Sequence, residues 1–213
     1  MQVDPIHCVI ICRDRVTHLN KLVSWLEHTP HKIVLLDNGS TYPPLLEYYE
    51  HSPHQIVRLG LNIGQHSPWH SKFLDTLDEE FFMVSDPDIV PTEECPYDAI
   101  EFLIRGLQTH TDHRKAGLSL KIDDVPLNYG QYEFMKRHEG NGGPGDVEVG
   151  EHFWHKPIDT TFAVMRKGTP YTFSEGMRAK PPYSARHMEW YRIGPDPEYD
   201  YYWSHAIQGV VHY

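Results

Sequence analysis

The sequence predicts an α/β fold, a single domain whose mostly parallel central sheet is flanked by helices. Three observations predict it. Residues 7–12, HCVIIC, are a continuous apolar run of the kind a strand buried on both faces requires. Leu19, Leu22, Val23 and Leu26 then follow at helical spacing, so the run opens a strand–helix unit. The same alternation recurs before residue 90, and strands alternating with helical segments pair in parallel.

Residues 32–36 form a second strand that ends at Asp37-Asn38-Gly39-Ser40 and leads into a helix around Leu45, Leu46 and Tyr49. Residues 55–59 make a third strand, and Asn62-Ile63-Gly64 turns the chain into a helix over 67–77. Residues 81–85, FFMVS, make a fourth. Beyond Asp88 the pattern predicts a helix over 97–108, a strand over 116–122 and a strand over 160–165. Between the last two lies a long polar stretch containing Asn141-Gly142-Gly143-Pro144-Gly145-Asp146, whose length and composition predict a mobile active-site or binding loop. The tail is rich in Pro, Tyr, Trp and His, with a helix expected over 199–211. It ends on Gly209-Val210-Val211-His212-Tyr213 without a polar cap, which suggests a fragment of a longer chain.

Composition narrows the function classes. The 213 residues are 39% hydrophobic and 23% charged, which matches a soluble globular domain. A formal charge of -11, without any Lys/Arg run, excludes a nucleic-acid backbone as partner but still permits one phosphorylated ligand held through a cation. Three cysteines supply no disulfide framework, the N-terminal apolar run is too short for a signal peptide, and no window is long enough for a membrane span. A cytoplasmic protein is the expectation.

In a parallel sheet, ligands collect at the carboxyl ends of the strands, so the polar residues there carry the chemistry. Asp86-Pro87-Asp88 sets two carboxylates directly after a buried strand, with proline stiffening the turn between them. Such a pair suits Mn2+ or Mg2+, which take one or two carboxylates together with phosphate oxygens and water; either Asp could equally cap the following turn. Asp37 and Asn38 close the second strand, Asn62 and Gly64 follow the third, and Arg13 and Arg15 follow the first. On one rim these groups can accept from a base N–H, read a ribose and pair with phosphate, although Asp37-Asn38-Gly39-Ser40 is also good turn chemistry and the arginines could be surface charges.

The order VIICRDR, IVLLDNGS, LNIGQ and SDPDIVP, within residues 1–90, resembles the nucleotide-sugar-binding half of the GT-A glycosyltransferases, nearest to the inverting family 2 type. PIDTTFAV and RHMEWY resemble motifs of small bacterial and viral members, and the chain resembles the N-terminal domain of a chlorovirus glycosyltransferase. The resemblance implies a nucleotide-binding half over 1–90, an acceptor-binding half over 91–213, a UDP-sugar donor and a glycan acceptor. It assigns Asp37 to the uracil, Asp86 to the ribose or donor sugar, and Asp88 to a Mn2+ bridging the diphosphate. After Asn62-Ile63-Gly64 the family's usual Arg is missing; Gln65, His66 and Trp69 stand there instead.

Inverting transfer needs a base that deprotonates the acceptor hydroxyl as it attacks. Asp159, expected to open a strand after Pro157, is the choice, with Asp123, Asp124, Asp146 and Glu151 as rivals. The sixteen histidines show no zinc-site spacing. By the resemblance, one C-terminal histidine completes the metal shell, His187 ahead of His205. Trp154, Tyr171, Phe173, Tyr183, Trp190, Tyr191 and Trp203 can stack on sugar rings or fill the core, Trp154 being the leading candidate for an acceptor wall. Two alternatives remain. A sugar nucleotidyltransferase would carry a Gly-rich basic loop where CRDRVT stands, and a non-catalytic nucleotide-sugar-binding module would bind without turnover.

Overall fold

A computed structural model describes residues 3–140 and 146–205. Strands β1 (His7–Cys12), β2 (Lys32–Asp37), β3 (Gln55–Arg58) and β4 (Phe81–Ser85) alternate with helices α1 (Thr17–Leu26), α2 (Pro43–His51) and the short α3 (Ser67–His70). These strands lie in the order β3-β2-β1-β4, all parallel, with His7 opposite Lys32 and Cys12 opposite Asp37. β1 and β4 read as unbroken apolar runs because both of their faces are covered. Cys8 and Ile10 face the core under α1, α2 and a later helix, while Val9 and Ile11 face a smaller cluster with Leu74, Leu77 and Phe82. The helix expected over 67–77 is interrupted. Lys72 takes a positive φ of 59°, and the chain continues as a 3-10 turn, Phe73–Thr76.

The second half adds β5 (Ile89–Pro91), α4 (Ala99–Thr109), β6 (Lys115–Gly117), β7 (Ser119–Leu120), α5 (Tyr132–Glu139), β8 (Val147–Val149), β9 (Phe153–Ile158), β10 (Ala163–Arg166), β11 (Ser174–Ala179), β12 (Ser184–His187) and α6 (Pro197–Ser204). The main sheet runs β3-β2-β1-β4-β10-β6-β11-β9-β8, and a small sheet runs β5-β12-β7. Beyond β4 the pairing is mixed: β10 is antiparallel to β4 and β6, β11 is parallel to β6, and β9 is antiparallel to β11 and β8. The expected helix–sheet layering therefore holds, and the parallel character concentrates in β1 to β4.

Several boundaries differ from expectation. The strand expected over 116–122 is split, since β6 belongs to the main sheet and β7 to the small one. The polar stretch expected as a loop contains α5 and β8; α5 escapes detection because Met135 is the one residue it buries. Residues 141–145 of its Gly-rich core lie outside the described residues. The strand expected over 160–165 begins only at Ala163, and β9 precedes it, hidden in the sequence by His155, Lys156 and Pro157. The tail helix is α6, opened by Asp196, whose side chain accepts from the N–H groups of Glu198 and Tyr199; residues 206–213 lie outside the described residues. Cys8, Cys12 and Cys95 are free and buried, and among the described residues no helix is long and apolar enough to cross a membrane.

α6 packs back over the carboxyl edge of the sheet. Its Glu198 is buried and accepts from Val16 N–H at 2.9 Å, from Thr17 N–H at 3.1 Å and from Thr17 Oγ1 at 3.2 Å. A carboxylate thus satisfies the open donors at the start of α1, where the helix dipole favours negative charge.

Candidate active site

Asp86 and Asp88 occupy the segment where the chain leaves the main sheet for the small one. Asp86 N–H donates to Thr160 O at 2.8 Å, and Thr160 Oγ1 donates to Asp86 Oδ2 at 2.7 Å, which extends the β4–β10 contact one residue past the strands. Asp88 O then accepts from Met188 N–H at 2.9 Å, and β5 pairs with β12 so that Ile89 lies opposite His187. Main-chain bonds on both sides hold the two carboxylates.

Asp88 is 2% exposed. Its Oδ2 lies 3.2 Å from Arg15 Nη1 and 3.4 Å from His187 Nε2, while Oδ1 is buried without a hydrogen-bond partner. Burial alone would raise its pKa, but Arg15, His187 and His18 outweigh burial and hold the carboxyl well below the usual range. Asp86 goes the other way. Burial first, then the nearby charges of Asp159 and Asp88, push it up to about 7. At His187 burial opposes protonation, yet the adjacent Asp88 and the further charges of Asp86 and Asp159 raise its pKa overall. The Trp190 ring, 4.9 Å from the imidazole, packs it in place. Arg15 also lies 4.7 Å from the Tyr202 ring of α6 and 4.0 Å from Glu189 Oε2.

The fold therefore brings Asp86, Asp88, Asp159, His187 and Arg15 into one electrostatic neighbourhood. Asp159 sits differently from expectation: it lies in the turn between β9 and β10, where its Oδ1 accepts from Thr161 N–H at 3.1 Å, and it opens no strand. The sequence reading missed His18, in the first turn of α1, and Glu189, just after His187; both act on Asp88 or Arg15 through charge. Thr160 was missed too, and the signal was in hand: a hydroxyl beside Asp159 where a strand was expected to start.

The rest of the rim is a hydrogen-bonded scaffold. Asn38 Nδ2 donates to Asn62 Oδ1 at 2.8 Å and to Gly64 O at 3.0 Å, and Asn38 Oδ1 accepts from Ile63 N–H at 2.9 Å. The loops can approach because Gly39, at φ 74°, has no Cβ; one there would stand 2.6 Å from the Leu61 carbonyl carbon. Asp37 is buried, its Oδ1 accepting from Ser40 N–H and Tyr49 Oη, both at 3.2 Å. Arg13 donates to the carbonyls of Asn38, Gly39 and His205, so it braces loops whereas Arg15 meets Asp88. Trp69 Nε1 donates to Thr169 O at 2.9 Å.

The rival bases have other partners. Asp124 pairs with Arg186 at 2.9 Å and accepts from Tyr191 Oη, Asp123 pairs with Lys121, and Asp146 lies 3.1 Å from Lys156; Glu151 is exposed. His205 stacks on Tyr201 at the end of α6. Trp154 lies near the start of β9 and Asp159 just past its end, roughly 16 Å apart at the rise of a strand. The Trp154 ring carries Lys180 Nζ at 4.3 Å.

The donor set fits a hard cation. Asp88 keeps an orphaned buried oxygen, and Asp86 and His187 are neighbours in charge. Among the described residues no three His, Cys, Asp or Glu side chains form a ready-made cage, so water and phosphate oxygens would have to complete the shell.

No protein-family model and no curated protein matches the chain. Solved structures do. The mannosyltransferase PcManGT from Pyrobaculum calidifontis, in complex with GDP-Man and Mn2+, matches at 13% identity and TM-score 0.45 over 56% of this chain and 36% of its own. S. aureus TarS 1-349, in complex with UDP, matches at 14% identity and TM-score 0.48 over 77% and 47%. GalNAc-T7 with UDP, GalNAc and Mn2+ matches at 16% identity and TM-score 0.32 over 40% and 18%. The chain thus spans less than half the length of each of these structures.

Proposed function

We propose that this chain is a metal-dependent inverting glycosyltransferase that moves a hexose or deoxyhexose from a UDP-sugar to a glycan hydroxyl. One observation carries the proposal. Asp88 is a buried carboxylate whose Oδ1 has no hydrogen-bond partner, held to its charged form by the flanking Arg15 and His187, and it shares the carboxyl edge of the sheet with Asp86 and Asp159. Opposite charges gathered around an open carboxylate suit a diphosphate better than a neutral ligand. Family 2 type, viral kinship and the choice of uracil rest on the motif resemblance, and the cytoplasmic placement on the reduced cysteines.

In this mechanism Asp88, Asp86 and His187 would hold Mn2+ or Mg2+, which when bound supplies charge to the departing diphosphate and a template for it. Arg15 adds a fixed positive charge beside the leaving phosphate, held there by Asp88 and the Tyr202 ring. Asp159 accepts the acceptor hydroxyl proton as that oxygen attacks the anomeric carbon opposite the leaving diphosphate. Residues 1–90 supply the donor side, with Asn38, Asn62, Gly64, Asp37 and Trp69 shaping the nucleotide rim, and the remainder supplies Asp159, His187 and the acceptor side.

Calorimetry with Mn2+ and UDP-glucose, UDP-galactose or GDP-mannose tests the proposal, followed by detection of released nucleoside diphosphate. Metal-dependent binding that disappears in Asp88→Ala is expected, with the fold retained. Full activity of Asp88→Ala in chelator would refute it. Release of pyrophosphate would indicate nucleotidyl transfer, and binding without turnover on any glycan would indicate a non-catalytic module.

A further inference from the structure

Two cations lie in the middle of the main sheet outside the donor set just described, Lys115 close enough to Asp159 to feel its charge. Lys115, on β6, and Arg178, on β11, are each 2% exposed. A buried ammonium ordinarily pairs with a carboxylate. Lys115 Nζ instead donates to two main-chain carbonyls, Ile158 O at 2.7 Å and Thr172 O at 2.6 Å. Arg178 also reaches main-chain carbonyls one residue earlier, with Nε 3.3 Å from Pro157 O and Nη1 3.0 Å from Leu118 O, while its Nη2 lies 3.4 Å from Glu139 Oε2. The last two carbonyls before Asp159 are therefore both held by buried side-chain cations.

The side chain of Ile158 is seated just as closely. It fills a notch between Gly117 on β6 and Gly176 on β11; a Cβ at Gly117 would stand 3.3 Å from Ile158 Cδ1, and one at Gly176 only 2.9 Å. On the other side of Asp159, Thr160 O accepts from Asp86 N–H and Thr161 N–H donates to Asp159 Oδ1. Ile158 is thus fixed to the sheet and Thr160 to the Asp86 turn, while the Asp159 carboxylate is held locally by Thr161 N–H.

We propose that Lys115 is a positioning residue, its Nζ fixing the Ile158 carbonyl so that the Asp159 carboxylate is delivered beside Asp86. This rests on Asp159 being the base of the proposed reaction. The anchor tolerates loss of its charge: burial pushes the Lys115 ammonium down to about 8, and an uncharged amine still has two N–H groups for the two carbonyls.

Lys115→Met keeps the stem and loses both donors, Lys115→Gln keeps an amide donor, and Val164→Ala perturbs the neighbouring β10 without touching the anchor. Reacting groups displaced by about 1 Å lose rate by about 100-fold, so Lys115→Met should lower kcat for Mn2+-dependent hydrolysis of the UDP-hexose about 10–100-fold. Affinity for UDP with Mn2+ should stay within about twofold, Lys115→Gln should recover part of the rate, and Val164→Ala should retain it. Independently of activity, the amide protons of Asp86 and Thr161 should exchange at least about tenfold faster in Lys115→Met, those of Val9 and Leu35 unchanged. Unchanged kcat, parallel loss of kcat and UDP affinity, or unchanged exchange at Asp86 and Thr161 would overturn the proposal. If Lys115→Met does not fold, Lys115→Gln is judged by the same measures, with intermediate losses expected. If the wild type hydrolyses none of the donors, the proposed UDP-hexose activity falls, and the exchange rates alone decide for Lys115.

Discussion

Replacing Asp86 with asparagine should make the metal-free protein more stable at neutral and alkaline pH. The carboxyl is pushed from an ordinary 3.8 to about 7 by burial and by the charges of Asp159 and Asp88. Below pH 3.8 it is protonated in both the folded and unfolded chain; between pH 3.8 and 7 only the unfolded chain gives up the proton, so stability falls across that window and the full penalty is in place above pH 7. About three pKa units at 1.36 kcal/mol each give about 4 kcal/mol at pH 8 and about 1.5 kcal/mol at pH 5. Asparagine preserves an acceptor for Thr160 Oγ1 and removes the charge. Asp86→Asn should therefore be about 2–4 kcal/mol more stable at pH 8 in chelator, roughly 5–10 °C in melting temperature for a chain of this size. Urea titrations from pH 5 to pH 8 read the gap directly. Adding Mn2+ should narrow the gap, because ligation stabilises the wild type more than the variant, by up to about 2.7 kcal/mol at one hundred times its Kd. Equal or lower stability of Asp86→Asn at pH 8, or a gap independent of pH, would refute the account of a strained carboxylate kept for a cation.

Other consequences can be measured in parallel. His187→Ala should weaken Mn2+ binding about 10-fold or more, read by calorimetry, while circular dichroism stays unchanged. Glu198→Ala strips the cap from α1 and should cost about 1–3 kcal/mol in urea unfolding. Lys115 has a folded pKa lowered to about 8, so its burial penalty is complete below pH 8 and fades as pH rises toward 10.5. Wild-type stability should accordingly gain up to about 3 kcal/mol relative to Lys115→Met between pH 8 and pH 10.5, seen in paired urea titrations.

The first half was legible because both faces of β1, β2 and β4 are covered, which writes them as apolar runs ending on polar residues. The second half obeys a different rule. β6, β9 and β11 carry Lys115, Lys156 and Arg178 in the interior, satisfied by carbonyls and carboxylates that only the tertiary structure supplies, and hydrophobic pattern cannot register them. Within the site, Asp86 and Asp88 were readable from their place at a strand end. Spacing could not separate Arg13, which braces two loops, from Arg15, which meets Asp88. Asp159 is a turn residue whose carboxylate accepts from Thr161 N–H, where a strand start was expected.

Asp86-Pro87-Asp88 is also the strip of chain that passes from the large sheet to the small one, with Ile89 already paired to His187. The joint between the two sheets and the proposed reacting centre are therefore one piece of backbone. Anyone grafting a foreign second half onto β1–β4 would have to cut through it. New specificity in this scaffold is better sought in side chains on the faces of β7 and β12 than by exchanging the layer that carries them.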